Sequence, residues 1–207
     1  LAFAGGTRNL NAGSNVTGLG TLTVSGATLI VNNLLGIGTT GAALNVSSGA
    51  LNVNSTITAA PTLTFSGGTL GGSGALTVTG AFNITGNSTL AGSGTLTTQG
   101  TTTVSMGAAN GEVDLTGGKT WSNEGTLTVG GDDRIRFGAS GVAGGTLTNA
   151  AGGTLNLSST HATPLENFNG GTVNNAGTLN QTATGTHAVD SGITFNNTGT
   201  VNIDAGT

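Results

Sequence analysis

Apolar and polar residues alternate over short stretches along most of the chain, and each stretch is entered through glycine. Gly20-Thr21-Leu22-Thr23-Val24, Gly74-Ala75-Leu76-Thr77-Val78, Gly125-Thr126-Leu127-Thr128-Val129 and Gly199-Thr200-Val201-Asn202-Ile203 are four copies of one phrase. A period of two places alternate side chains on opposite faces, so each copy predicts a short strand with one apolar face. Leu22 and Val24, Leu44 and Val46, Leu63 and Phe65, Leu127 and Val129, and Val201 and Ile203 form the inward set. Thr21, Thr23, Asn45, Thr64, Thr128 and Asn202 form the outward set. One copy has too little apolar surface to bury alone, and stacked copies bury it against one another.

The repetition has a measurable period. Residues 68–87 laid on 88–107 match at Thr69, Leu70, Gly72, Ser73, Gly74, Leu76, Thr77 and Gly80. The apolar anchors Leu70, Leu76, Phe82 and Leu90 divide this unit into three short strands, the spacing of a three-sided coil. A second repeat joins Trp121-Ser122-Asn123, Leu147-Thr148-Asn149, Val173-Asn174-Asn175 and Phe195-Asn196-Asn197, with unit starts 26, 26 and 22 residues apart. The prediction is an all-β, right-handed parallel β-helix, a three-sided β-solenoid of about nine coils. It forms a single domain over 1–207, with longer coils and protruding loops in 108–207. Neither terminus carries a capping pattern. The coils are therefore expected to continue past the given ends, or the ends to self-associate, because bare strand edges are adhesive.

Composition narrows the picture. Forty glycines, two prolines and 6% charged residues would suit disorder, but 35% hydrophobic residues in regular alternation argue for an ordered β protein. Helix is unsupported, since glycine interrupts nearly every window and apolar residues lack a 3.6 period. Four Lys and Arg against eight Asp and Glu leave no basic patch for nucleic acid. No apolar run approaches a membrane span. Leu1-Ala2-Phe3-Ala4 lacks the basic region and long apolar run of a signal peptide, as a mature fragment would. With no cysteine there is no disulfide framework.

Candidate chemistry is sparse. Glu112, Asp114, Lys119, Glu124, Asp132, Asp133, Arg134 and Arg136 gather most of the charge within 25 positions. They read either as a binding or catalytic patch on one face, or as a protruding loop whose opposite charges pair in solvent. The second reading is preferred, since Asp132-Asp133-Arg134 neutralises itself locally. Gly130-Gly131-Asp132 matches part of a calcium-binding nonapeptide, a single partial copy, and calcium is the one cofactor it could hold. His161 and His187 read as surface polar residues. Asn123, Asn149, Asn175 and Asn197 recur just before a corner, where they can bond to turn backbone and stack coil on coil. Thr-x-Thr pairs at 21/23, 62/64, 77/79, 95/97, 101/103, 126/128 and 146/148 could order water and bind ice. They fall on different strands and alternate with Asn, so no single regular threonine face is expected.

The phrases Leu147-Thr148-Asn149-Ala150-Ala151-Gly152-Gly153-Thr154-Leu155-Asn156-Leu157 and Phe195-Asn196-Asn197-Thr198-Gly199-Thr200-Val201-Asn202-Ile203 resemble repeats of large bacterial exoproteins. These are the filamentous-haemagglutinin-like adhesins and autotransporter passengers. The resemblance implies a secreted or surface-attached β-helical stalk, non-enzymatic, taking part in adhesion or biofilm, with host or matrix polysaccharide as a possible partner. The alternatives are a polysaccharide-binding or -cleaving β-helix enzyme and an ice-binding solenoid.

Overall fold

In the computed structural model, which describes residues 1–32 and 43–207, every regular element is a strand and every strand-to-strand ladder is parallel. The strands stack into three ladders that close a solenoid of about nine turns. Face A stacks Ala2–Phe3, residues 21–24, 43–46, 62–65 and 81–84, then Thr101–Val104, Thr126–Val129, Thr154–Leu157, Thr178–Gln181 and Thr200–Ile203. Face B stacks Thr7–Leu10, residues 28–31 and 50–53, Gly68–Gly71, Ser88–Leu90, Glu112–Leu115, Arg134–Phe137 and Leu165–Asn167. Face C stacks residues 57–60 and 76–78, Thr95–Thr98, Thr120–Asn123, Thr146–Asn149, Gly171–Asn175 and Ile193–Asn197.

The register follows the sequence repeat. On face A, Leu22, Leu44, Leu63, Phe82, Thr102, Leu127, Leu155, Leu179 and Val201 are successive partners, 22, 19, 19, 20, 25, 28, 24 and 22 residues apart. Alignment of 68–87 with 88–107 is the same register, pairing Leu70 with Leu90 and Leu76 with Leu96. The longer coils carry their extra residues at 105–111, 138–145, 158–164 and 182–192, all next to face B. Corners from face C to face A stay short throughout.

Inward positions fill a continuous core. Leu22, Val24, Leu44, Val46, Leu63, Phe65, Leu127 and Val129 are buried as the alternation predicts. Val201 and Ile203, on the last described rung, hold the same inward register and are exposed. Aromatic rings from different rungs meet in the core: Phe65 and Phe82 lie 6.4 Å apart, and Phe82 and Trp121 6.1 Å apart, both tilted. Such pairs add about 1 kcal/mol each beyond their buried area.

Two glycines show why the corners need that residue. Gly49 bends the Ala43–Val53 strand from face A to face B at φ +78°, a conformation costly for side chains with a β-carbon. Gly94 stacks directly on Gly74, and a β-carbon on it would collide with the Gly74 carbonyl oxygen. Replacement of Gly94 by Ala therefore forces a coil apart and should cost about 1–3 kcal/mol. Gly107 has open space around it, so Gly107→Ala serves as the near-neutral control. Urea unfolding of both variants followed by circular dichroism checks this, and equal midpoints would show that the corners are not close-packed.

Candidate functional site

The eight charged residues singled out in sequence do not form one site. Four stand on the outer surface of face B, where parallel pairing sets Glu112 beside Arg134 and Asp114 beside Arg136. The next rung adds Glu166 beside Arg136, a residue the sequence window missed because it lies 30 positions away from Arg136. Only the register could have found it. Arg134 donates to Glu112 at 2.8 Å and forms an ion pair with Glu166 at 2.5 Å, while Arg136 reaches Glu112 at 2.9 Å and Asp114 at 2.7 Å. Rungs thus run acid, base, acid. Burial alone would lower the Arg136 guanidinium, but hydrogen bonding and attraction from Asp114, with Glu112 and Glu166, outweigh it and raise its pKa. The Arg136 guanidinium also lies 5.0 Å over the exposed ring of Phe168, a cation–π contact.

This corrects the picture of a protruding, self-neutralising loop: the pairing is between strands of successive coils, and Asp132 and Asp133 are not partners of Arg134. Those two carboxylates hold the 105–111 segment instead. Asp133 is buried and accepts the Met106 N–H at 2.7 Å, and Asp132 accepts the Asn110 N–H at 3.0 Å. Burial is the main cause that raises the Asp133 pKa above the ordinary aspartate value. Glu124 sits at the corner between faces C and A and accepts from Gln99 at 3.0 Å. Among the described residues, no group of three or more His, Asp or Glu is arranged to hold a metal ion. The Gly130-Gly131-Asp132 turn brings no second carboxylate ladder with it.

Lys119 differs from the rest. It occupies the corner between faces B and C, is 1% exposed, and makes no ion pair among the described residues. Desolvation lowers its pKa to about 8. The unfolded chain therefore binds more protons than the folded one between about 8 and the ordinary value of 10.5. Stability should be flat below that window and rise as pH increases through it.

The four corner asparagines stand in one ladder on face C, pointing into the core. Asn123, Asn149 and Asn175 are at most 1% exposed. The Asn123 amide donates to Asn149 Oδ1 at 2.8 Å, Asn149 to Asn175 at 2.8 Å, and Asn175 to Asn197 at 2.6 Å. Each of these amides also donates to a face A carbonyl of the next rung: Thr154, Thr178 and Thr200 at 2.9–3.0 Å. At the lower end Trp121 Nε1 donates to Thr98 Oγ1 at 3.2 Å, and Thr98 donates to Asn123 Oδ1 at 3.5 Å. Every member of a buried polar row is thereby satisfied, the condition under which such a row stabilises.

His161 Nε2 lies 3.2 Å from Arg134 Nη1, and His187 Nδ1 lies 2.9 Å from the His161 carbonyl oxygen. Both histidines tie the loops beside face B together. The strands of faces A and C contain no Asp, Glu, Lys or Arg, whereas the strands of face B contain six: Arg8, Glu112, Asp114, Arg134, Arg136 and Glu166. The charged strand residues and the long loops share one side of the solenoid. Comparison with known proteins gives no matching family model, no matching curated protein and no matching solved structure.

Two outcomes are expected. Asn149→Leu leaves the Asn123 amide and Asn175 Oδ1 without their partner, at a cost of about 1–3 kcal/mol for each buried group left unpaired. The same change at the exposed Asn54 should have a small effect, and urea midpoints compare them. Lys119→Met should raise the midpoint at neutral pH and remove the gain in stability that the parent shows between pH 8 and 10.5. A parent midpoint independent of pH across that window would mean that Lys119 is not desolvated.

Proposed function

We propose that this chain is a structural segment of an extracellular protein, a stiff β-solenoid stalk that displays its surfaces away from a bacterial cell and serves in adhesion or matrix assembly. The observation that carries the reading is the unbroken stacking of inward residues from rung to rung over about nine turns. Stacking of that kind produces length and stiffness: nine rungs at parallel-strand spacing make a rod of about 45 Å.

The non-enzymatic part of the reading is supported by the state of the carboxylates on face B. Glu112, Asp114 and Glu166 are each ion-paired with an arginine, and polysaccharide cleavage needs carboxylates free to exchange protons with substrate or water. The secreted or cell-surface location rests on the resemblance of the repeats to bacterial exoproteins. No helix among the described residues is long and apolar enough to cross a membrane.

Small-angle scattering of the purified chain should give a rod-shaped distance distribution with a constant cross-section. Beads coated with it should adhere to bacterial matrix polysaccharide. Release of reducing ends from neutral or acidic polysaccharides would replace this reading with the enzymatic one, and a compact, near-spherical scattering envelope would remove the stalk.

A further inference from the structure

We propose that Asn110 is a self-modifying site, at which the folded protein converts the side-chain amide to a carboxylate through a cyclic imide formed with the Gly111 nitrogen. This inference is independent of the stalk reading.

The sequence supplies the reactants. In an Asn-Gly pair the glycine nitrogen can close on the preceding side-chain carbonyl carbon, because no side chain on the glycine shields it. The chain has two such pairs, Asn110-Gly111 and Asn169-Gly170. The fold treats them differently. Asn169-Gly170 is tied down at the reacting atom, since the Gly170 N–H donates to Asn167 Oδ1 at 2.8 Å. Asn110 is exposed, and among the described residues its side-chain amide hydrogen-bonds to no protein group. Its main chain is held instead: the N–H donates to Asp132 Oδ2 at 3.0 Å, and the carbonyl accepts from Arg134 Nη1 at 3.4 Å. Among the described residues Asn110 is also the one non-glycine at positive φ, +56°, a conformation these clamps impose on it.

Asp133 supplies the base. Its Oδ2 accepts the Met106 N–H at 2.7 Å, while Oδ1 is buried with no hydrogen-bond partner. Oδ1 lies against Gly111, so close that a β-carbon there would collide with it, and the Gly111 N–H is one of the groups acting on this carboxylate. Burial raises the affinity of Asp133 for a proton, which makes it a better general base than an aspartate in water. Of the charges around it, Asp132 adds to that effect and Arg134 opposes it.

The steps balance with water as the one added reactant. The Gly111 nitrogen bonds to Asn110 Cγ as its proton passes to Asp133 Oδ1. That proton goes on to the departing amide nitrogen, the Cγ–Nδ2 bond breaks, and ammonia leaves. Water then opens the imide at one of its two carbonyl carbons. One opening leaves aspartate at position 110, and the other leaves isoaspartate, with the main chain running through the former side chain. Aspartate adds a negative charge to a residue whose N–H is held by Asp132. Isoaspartate lengthens the main chain by one carbon between that N–H and the peptide bond to Gly111. Either product loosens the clamp on segment 105–111, slowly and irreversibly.

The test compares the two Asn-Gly pairs in one molecule. The purified chain is incubated for weeks at neutral pH, folded and in parallel unfolded in urea. Mass spectrometry of the peptides reads amide loss at each pair, and enzymatic methylation reads isoaspartate. Asn110 should convert several-fold faster in the folded chain than in urea, and Asn169 more slowly folded than unfolded. Asp133→Asn should slow conversion at Asn110 several-fold, with thermal unfolding to confirm that the fold persists. Asp132→Asn removes a clamp but keeps the base, so conversion should continue at or above the parent rate. Conversion of folded Asn110 no faster than in urea overturns the proposal, as does equal acceleration at Asn169. So does an Asp133→Asn variant as fast as the parent, or equal slowing by Asp132→Asn.

Discussion

Everything in this structure depends on the in-register stacking of parallel strands, one coil on the next. Each backbone rung is hydrogen-bonded to the rungs on either side, so a residue inherits its neighbours from positions 19 to 28 residues away rather than from its own strand. A shift by one residue would turn every inward leucine to solvent. The constraint therefore acts on whole columns: apolar columns close the core, glycine columns allow corners to approach, and polar columns must find partners along their own length.

The asparagine ladder shows how a polar column survives inside. One buried amide would carry a desolvation cost without return, but a column of amides spaced by one rung satisfies donor and acceptor in turn. Thr98 completes it at one end by accepting from Trp121 and donating to Asn123. The ion pairs of face B obey the same logic on the outside. Arg134 and Arg136 occupy one rung between acidic rungs, so like charges never stack directly. Segregation of charge and loops to this side leaves faces A and C regular and uncharged.

Much of the fold was legible from residues alone. The twenty-residue self-match at 68–107 predicts the register later seen at Leu70 and Leu90, and the alternation at 126–129 predicts which side chains are buried. Longer unit spacings after 108 match inserts at 138–145 and 158–164. The site was less legible. Glu112, Asp114, Arg134 and Arg136 looked like a local charged loop because proximity in sequence was the only distance on offer. Glu166 escaped notice for the same reason, and Asp133 and Lys119, charged residues within a polar stretch, turn out to be buried.

Sequence by itself determined the strand period, the repeat length and the identity of the inward set, because these follow from side-chain alternation and from the need of each copy to bury one face. Only the stacked structure decided which outward residues share a surface. That is a matter of register around three corners, and corner lengths vary between coils without leaving a mark on the local pattern. Hence threonine pairs that are similar in sequence divide between two faces, and one run of charges divides into ion-paired rungs, a loop clamp and a buried lysine.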